Sequence, residues 1–80
     1  MSEARERARS VLAAALGLER EAIDDGAAIG TLDAWDSLAH MRLIQALEQA
    51  LGAELEPETI VALASLEDIA AILTRAPPSA

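Results

Sequence analysis

A carboxylate, a hydroxyl and an imidazole stand close together between Asp36 and His40, the groups from which a serine hydrolase is built. Their spacing argues against that chemistry. On one helix Ser37 and His40, three residues apart, are surface neighbours, with no strained nucleophile turn and no oxyanion loop around them. A metal centre fares no better, because the chain has one histidine, no cysteine and no ligand spacing among its acids. Asp24, Asp25 and Asp33 do not follow the pattern of a calcium loop, and no glycine loop is built to cradle phosphate. What remains is Asp36-Ser37-Leu38, with an acid before an alcohol. At a helix start Asp36 would accept from the amides of the first turn. Asp-Ser is an ordinary way to begin a helix, and the tripeptide alone is a weak signal for anything more.

The elements around it are legible from periodicity. Ala8, Val11, Leu12, Ala15 and Leu16 mark one face of a helix over about residues 3–16, stopped by Gly17. A long connection runs from Leu18 to Trp35, with a short turn expected at Glu21-Ala22-Ile23. A loop of this length in a small domain is usually functional or disordered; Leu18, Ile23, Ile29 and Leu32 are too apolar for a free loop and are expected to pack onto the helices and order it. A second helix over about 37–51 carries the apolar stripe Leu38, Met41, Leu43, Ile44, Leu47 and Leu51, and Gly52 ends it. Pro57 suits the first position of a short helix over about 57–63, with Ile60, Val61 and Leu63 facing in. A last helix over about 65–75 opens on Ser65, with Asp68 as the short-armed partner of a capping box and Arg75 near the end where a cation suits the dipole. Residues 1–76 are expected to form one domain, and 77–80, with two prolines, a flexible tail. The predicted fold is all-α: a four-helix bundle with a long first loop and a short third helix.

Composition narrows the partners. Trp35 is the only aromatic, and strand-favouring residues are scarce, which agrees with an all-helical chain. Fourteen acids face six arginines, for a net charge of −8. A field of that sign disfavours nucleic acid and anionic membranes and favours a protein partner with basic groups. No apolar run reaches the length of a membrane span, and the Glu- and Arg-rich start lacks the apolar core of a signal peptide. A cytoplasmic monomer is expected.

With length, helix order, loop length and acidity added, Asp36-Ser37-Leu38 resembles the modification motif of the acyl carrier and peptidyl carrier proteins. The resemblance extends through Leu16-Gly17-Leu18, Leu43 to Glu48 with Leu51-Gly52, and Ser65-Leu66-Glu67-Asp68-Ile69. It implies the carrier-type bundle, with Ser37 as the attachment point of a phosphopantetheine arm. Asp36 would cap the helix and assist the modifying phosphopantetheinyl transferase, which brings coenzyme A and magnesium. Leu38 would anchor the helix start in the core and set the direction of Ser37. Further partners would be an acyl- or aminoacyl-loading ligase and a downstream transferase. His40, Met41, Arg42, Gln45 and Glu48 would form the docking face, and Met41, Ile44, Ile60 and Val61 would border the space for a bound chain. The chain departs from the family pattern at Ala34 and Trp35, where a glycine is usual, and at His40, Arg42 and Gln45, where carriers of fatty acid synthesis are acidic. The expected role is a non-catalytic carrier in a specialised pathway. The alternative is an unmodified helical adaptor.

Overall fold

A computed structural model describes residues 3–75. Its elements in chain order are α1 (Glu3–Leu16), a 3-10 turn (Arg20–Ala22), α2 (Ser37–Leu51), α3 (Pro57–Ala62) and α4 (Leu66–Arg75). No strand occurs among the described residues, only an isolated antiparallel bridge between Ala28 and Ser65. The all-α bundle with a long first connection is therefore as the sequence predicts. The expected tail and the side chain of Arg75 lie outside what is described.

Helix α1 is the centre of the packing and lies against both α4 and α2. Its buried side chains are Ala8, Leu12, Ala13 and Ala15. The rest of the core comes from Leu43 and Leu47 of α2, Leu63 just past α3, Leu66, Ile69, Ile72 and Leu73 of α4, and Ile23, Ala27 and Trp35 of the long loop. Gly17 and Gly52 end α1 and α2 at φ +71°, the left-handed conformation that glycine adopts at least cost.

The long loop is tied down in three ways. Ile23, Ala27 and Trp35 are buried and Leu18 and Leu32 partly so. At the bridge, the Ile29 amide donates to the Ala64 carbonyl (2.9 Å) and the Leu66 amide to the Ala27 carbonyl (2.9 Å). Ile29 itself is exposed, against expectation, because its backbone and not its side chain makes the attachment. Arg9 of α1 then reaches over to donate to the Ile23 carbonyl and the Asp25 carboxylate. The hydrogen bond from Arg9 holds the Asp25 carboxyl below the usual carboxylate range, against an opposing cost of desolvation. The same bond raises Arg9.

Helix α3 is short and mostly exposed. Val61, expected to face in, is 85% exposed. Leu63, just past the helix end, is buried and Ile60 is half-buried; Val61 stands about 100° around the helix from Ile60 and meets solvent. At the start of α4 the Ser65 hydroxyl accepts from the Asp68 amide (3.2 Å). The Asp68 carboxylate accepts from the Ala64 amide (2.9 Å), one residue before the position a capping box would satisfy.

Candidate functional site at the start of helix α2

The site begins with the plug that ends the long loop. Trp35 is 2% exposed and belongs to the core, and its amide donates to the Leu32 carbonyl (2.9 Å). A large apolar ring seated there fixes where the chain must turn into α2. Asp36 follows in extended conformation as the N-cap, its Oδ1 accepting from the Ala39 amide at 2.9 Å. The Asp36 carbonyl accepts the first helical bond, from the His40 amide at 2.8 Å. With the cap supplied by Asp36, the hydroxyl of Ser37 is not needed for that duty. Ser37 is the first helical residue and is exposed.

Leu38 corrects an expectation. It does not anchor the helix in the core; it is 59% exposed, as is Met41 at 62%. The buried row of α2 runs through Ala39, Leu43 and Leu47. Leu38 precedes Leu43 by five residues, about 140° around the helix, and so lies away from that row. The anchoring task falls to Trp35. Leu38 and Met41 instead place apolar surface beside Ser37.

The five residues expected to form a docking face are not equivalent. Met41, Arg42 and Gln45 are exposed. His40 is half-buried, and its Nδ1 accepts from Trp35 Nε1 at 3.0 Å. Glu48 is half-buried as well, and its Oε2 accepts from the Leu55 amide at 3.0 Å, bracing the connection between α2 and α3. Of the residues expected to border a bound chain, Ile44 and Ile60 are half-buried and Met41 and Val61 are outward. The bond between Trp35 and His40 was not foreseen, although a lone aromatic followed five residues later by a lone histidine was visible. The reach of Arg9 to Asp25 left no local signal, because the two are brought together only by the loop.

The arrangement suits covalent addition to a serine. Among the described serines, Ser65 uses its hydroxyl as a cap and Ser10 lies within α1; Ser37 alone stands exposed at a helix N-terminus. A phosphodiester at that position would meet the amide end of α2. Fold and site thus define a small helical carrier-type bundle that offers a serine at the start of its second long helix. A family model described as the phosphopantetheine attachment site matches residues 6–73, and the chain belongs to this family. The group that defines the family is covalently attached 4′-phosphopantetheine. No curated protein matches the chain significantly.

Proposed function

We propose that the chain is a carrier, with residues 1–76 as one domain, that is phosphopantetheinylated on Ser37 and shuttles an acyl or aminoacyl group between enzymes of a specialised biosynthetic pathway. The observation that carries this reading is the division of labour at the start of α2. Asp36 provides the cap, and Ser37 is left exposed with its hydroxyl at the amide end of the helix. In the modification, the Ser37 oxygen bonds to the phosphorus of the pantetheine phosphate of coenzyme A. The pyrophosphate bond breaks, adenosine bisphosphate leaves, and the serine proton passes to a base of the transferase. The arm supplies a terminal thiol that holds cargo as a thioester, which explains why a chain without cysteine can carry reactive acyl groups. The chain's own residues position and present that arm; the phosphopantetheinyl transferase installs it, and the reactions on the cargo belong to the loading ligase and the downstream transferase. Cytoplasmic localisation fits this role. No helix of the described residues is long and apolar enough to cross a membrane.

The docking face we assign is Leu38, Met41, Arg42 and Gln45. Arg42 is the one formal charge on α2 before Glu48. An enzyme that reads an acidic second helix with Lys or Arg would meet a like charge there and bind less well. This favours a dedicated partner over the enzymes of housekeeping fatty acid synthesis. The exposed Leu38 and Met41 would also serve an unmodified adaptor, and modification separates the two readings. Intact mass is measured before and after incubation with coenzyme A, magnesium and a broad-specificity phosphopantetheinyl transferase. One phosphopantetheine added at Ser37, and none in Ser37→Ala, is the expected result. A folded protein that gains no mass leaves the adaptor.

A further inference from the structure

We propose that His40 is a positioning residue for the modification of Ser37, acting through a clasp with the buried indole of Trp35. The proposal rests on Ser37 being the attachment point. Trp35 Nε1 donates to His40 Nδ1 at 3.0 Å, with the ring centroids 6.1 Å apart and the ring planes inclined by 28°. An indole N–H can only donate. His40 Nδ1 must therefore present its lone pair, and the proton of the neutral imidazole sits on Nε2.

Ser37 lies inside the loop of chain that this bond closes. On one side is Trp35, seated in the core; on the other is His40, in the first turn of α2. Between them the outward side chains of Ser37 and Leu38 make no anchor of their own, since both are exposed. The direction in which Ser37 points is thus set by its neighbours: the Asp36 cap on Ala39, the buried Ala39, and the clasp that links the first turn to the core plug. Group transfer depends steeply on the placement of the attacking oxygen, and a displacement of about 1 Å costs on the order of a hundredfold in rate. A turn that is held from both ends offers its hydroxyl in one orientation. Freed from the clasp, the same turn would dock on the transferase through Leu38 and Met41 as before but present Ser37 less productively.

The test uses the whole protein with coenzyme A, magnesium and a broad-specificity phosphopantetheinyl transferase. Steady-state transfer is measured for the native chain, His40→Leu, His40→Asn, Trp35→Phe and the double variant Trp35→Phe/His40→Leu. The single indole N–H resonance reports the clasp directly in every variant that keeps Trp35. We expect His40→Leu to lower kcat by roughly tenfold with KM nearly unchanged, the pattern of a lost alignment and not of lost docking. His40→Asn, whose Oδ1 stands where Nδ1 stood, restores most of the rate and the protection of the indole N–H from exchange. Trp35→Phe behaves like His40→Leu, and the double variant is no slower than either single one, because both remove the same bond. Should His40→Leu lose its helical circular dichroism, Trp35→Phe, which keeps a ring in the core, carries the same prediction. The proposal is overturned if a folded His40→Leu or Trp35→Phe is modified as fast as the native chain, or if the loss falls in KM, which would make His40 a docking contact. A native chain that takes no arm overturns the attachment reading itself, a result distinct from variants that match a modified native chain.

Discussion

Two helix starts in this molecule use the same residue types to opposite ends. At α2 the sequence is Asp36-Ser37-Leu38, and at α4 it is Ser65-Leu66-Glu67-Asp68. At α4 the serine is the cap, its hydroxyl accepting from the Asp68 amide, and the leucine after it is fully buried. At α2 the aspartate is the cap, the serine hydroxyl is left outside, and the leucine after it is mostly exposed. Shifting the cap by one residue turns a structural Ser-Leu pair into a presented one. The α4 start is also what a plain helix cap looks like in this fold, which makes the exposure of Ser37 and Leu38 informative.

The sharpest way to break this contrast is to remove each serine. Ser37→Ala should abolish the gain of phosphopantetheine mass entirely, whereas Ser65→Ala should take the arm at the native level. Modification that persists in Ser37→Ala would move the site elsewhere and dissolve the distinction. The leucines give the next largest effect, now on stability. Leu66→Ala removes a fully buried side chain and should cost about 2–5 kcal/mol in denaturant unfolding. Leu38→Ala should lie within about 0.5 kcal/mol of the native chain, since it deletes surface. Its effect should instead appear as a raised KM for the transferase. Equal destabilisation by both would mean that Leu38 packs inward after all.

How far the sequence carried is itself divided along this line. Helices α1 and α2 were readable to their ends, because Gly17 and Gly52 punctuate strong periodic runs. The candidate serine was readable because Asp-Ser-Leu falls where a helix begins. The orientation of Leu38, Met41 and Val61 was not. An apolar residue on a broad stripe can face the core or extend past its edge, and hydrophobicity alone does not say which. Nor does spacing along α2 reveal that Glu48 is committed to the Leu55 amide and His40 to Trp35. Those bonds join residues across a loop or helix boundary, where no fixed period applies.

The caps themselves offer a finer contrast. Asp36→Ala and Ser65→Ala each strip one amide of its acceptor and should each cost about 1 kcal/mol. Only Asp36→Ala should also slow modification, because only at α2 does the capped turn carry the serine proposed as the attachment point. A loss of transfer in Ser65→Ala as large as in Asp36→Ala would show that the caps matter through overall stability alone.

The smallest effect concerns the loop that delivers Trp35 to its seat. Asp25 is held below the usual carboxylate range by the hydrogen bond from Arg9. A carboxyl whose folded value is depressed adds stability that is present above its unfolded value, about 3.9, and that fades as pH falls through the folded one. Asp25→Asn should therefore unfold at slightly lower denaturant than the native chain at neutral pH. The gap should begin to shrink as the pH falls past about 4, where the unfolded chain takes up its proton, and close once the pH passes through the lower folded value, where the native carboxyl does the same. The pair is solvent-exposed on the Asp25 side, so salt should narrow the gap as well. A gap that stays constant from neutral to acid pH would mean that Arg9 secures the loop through the Ile23 carbonyl alone.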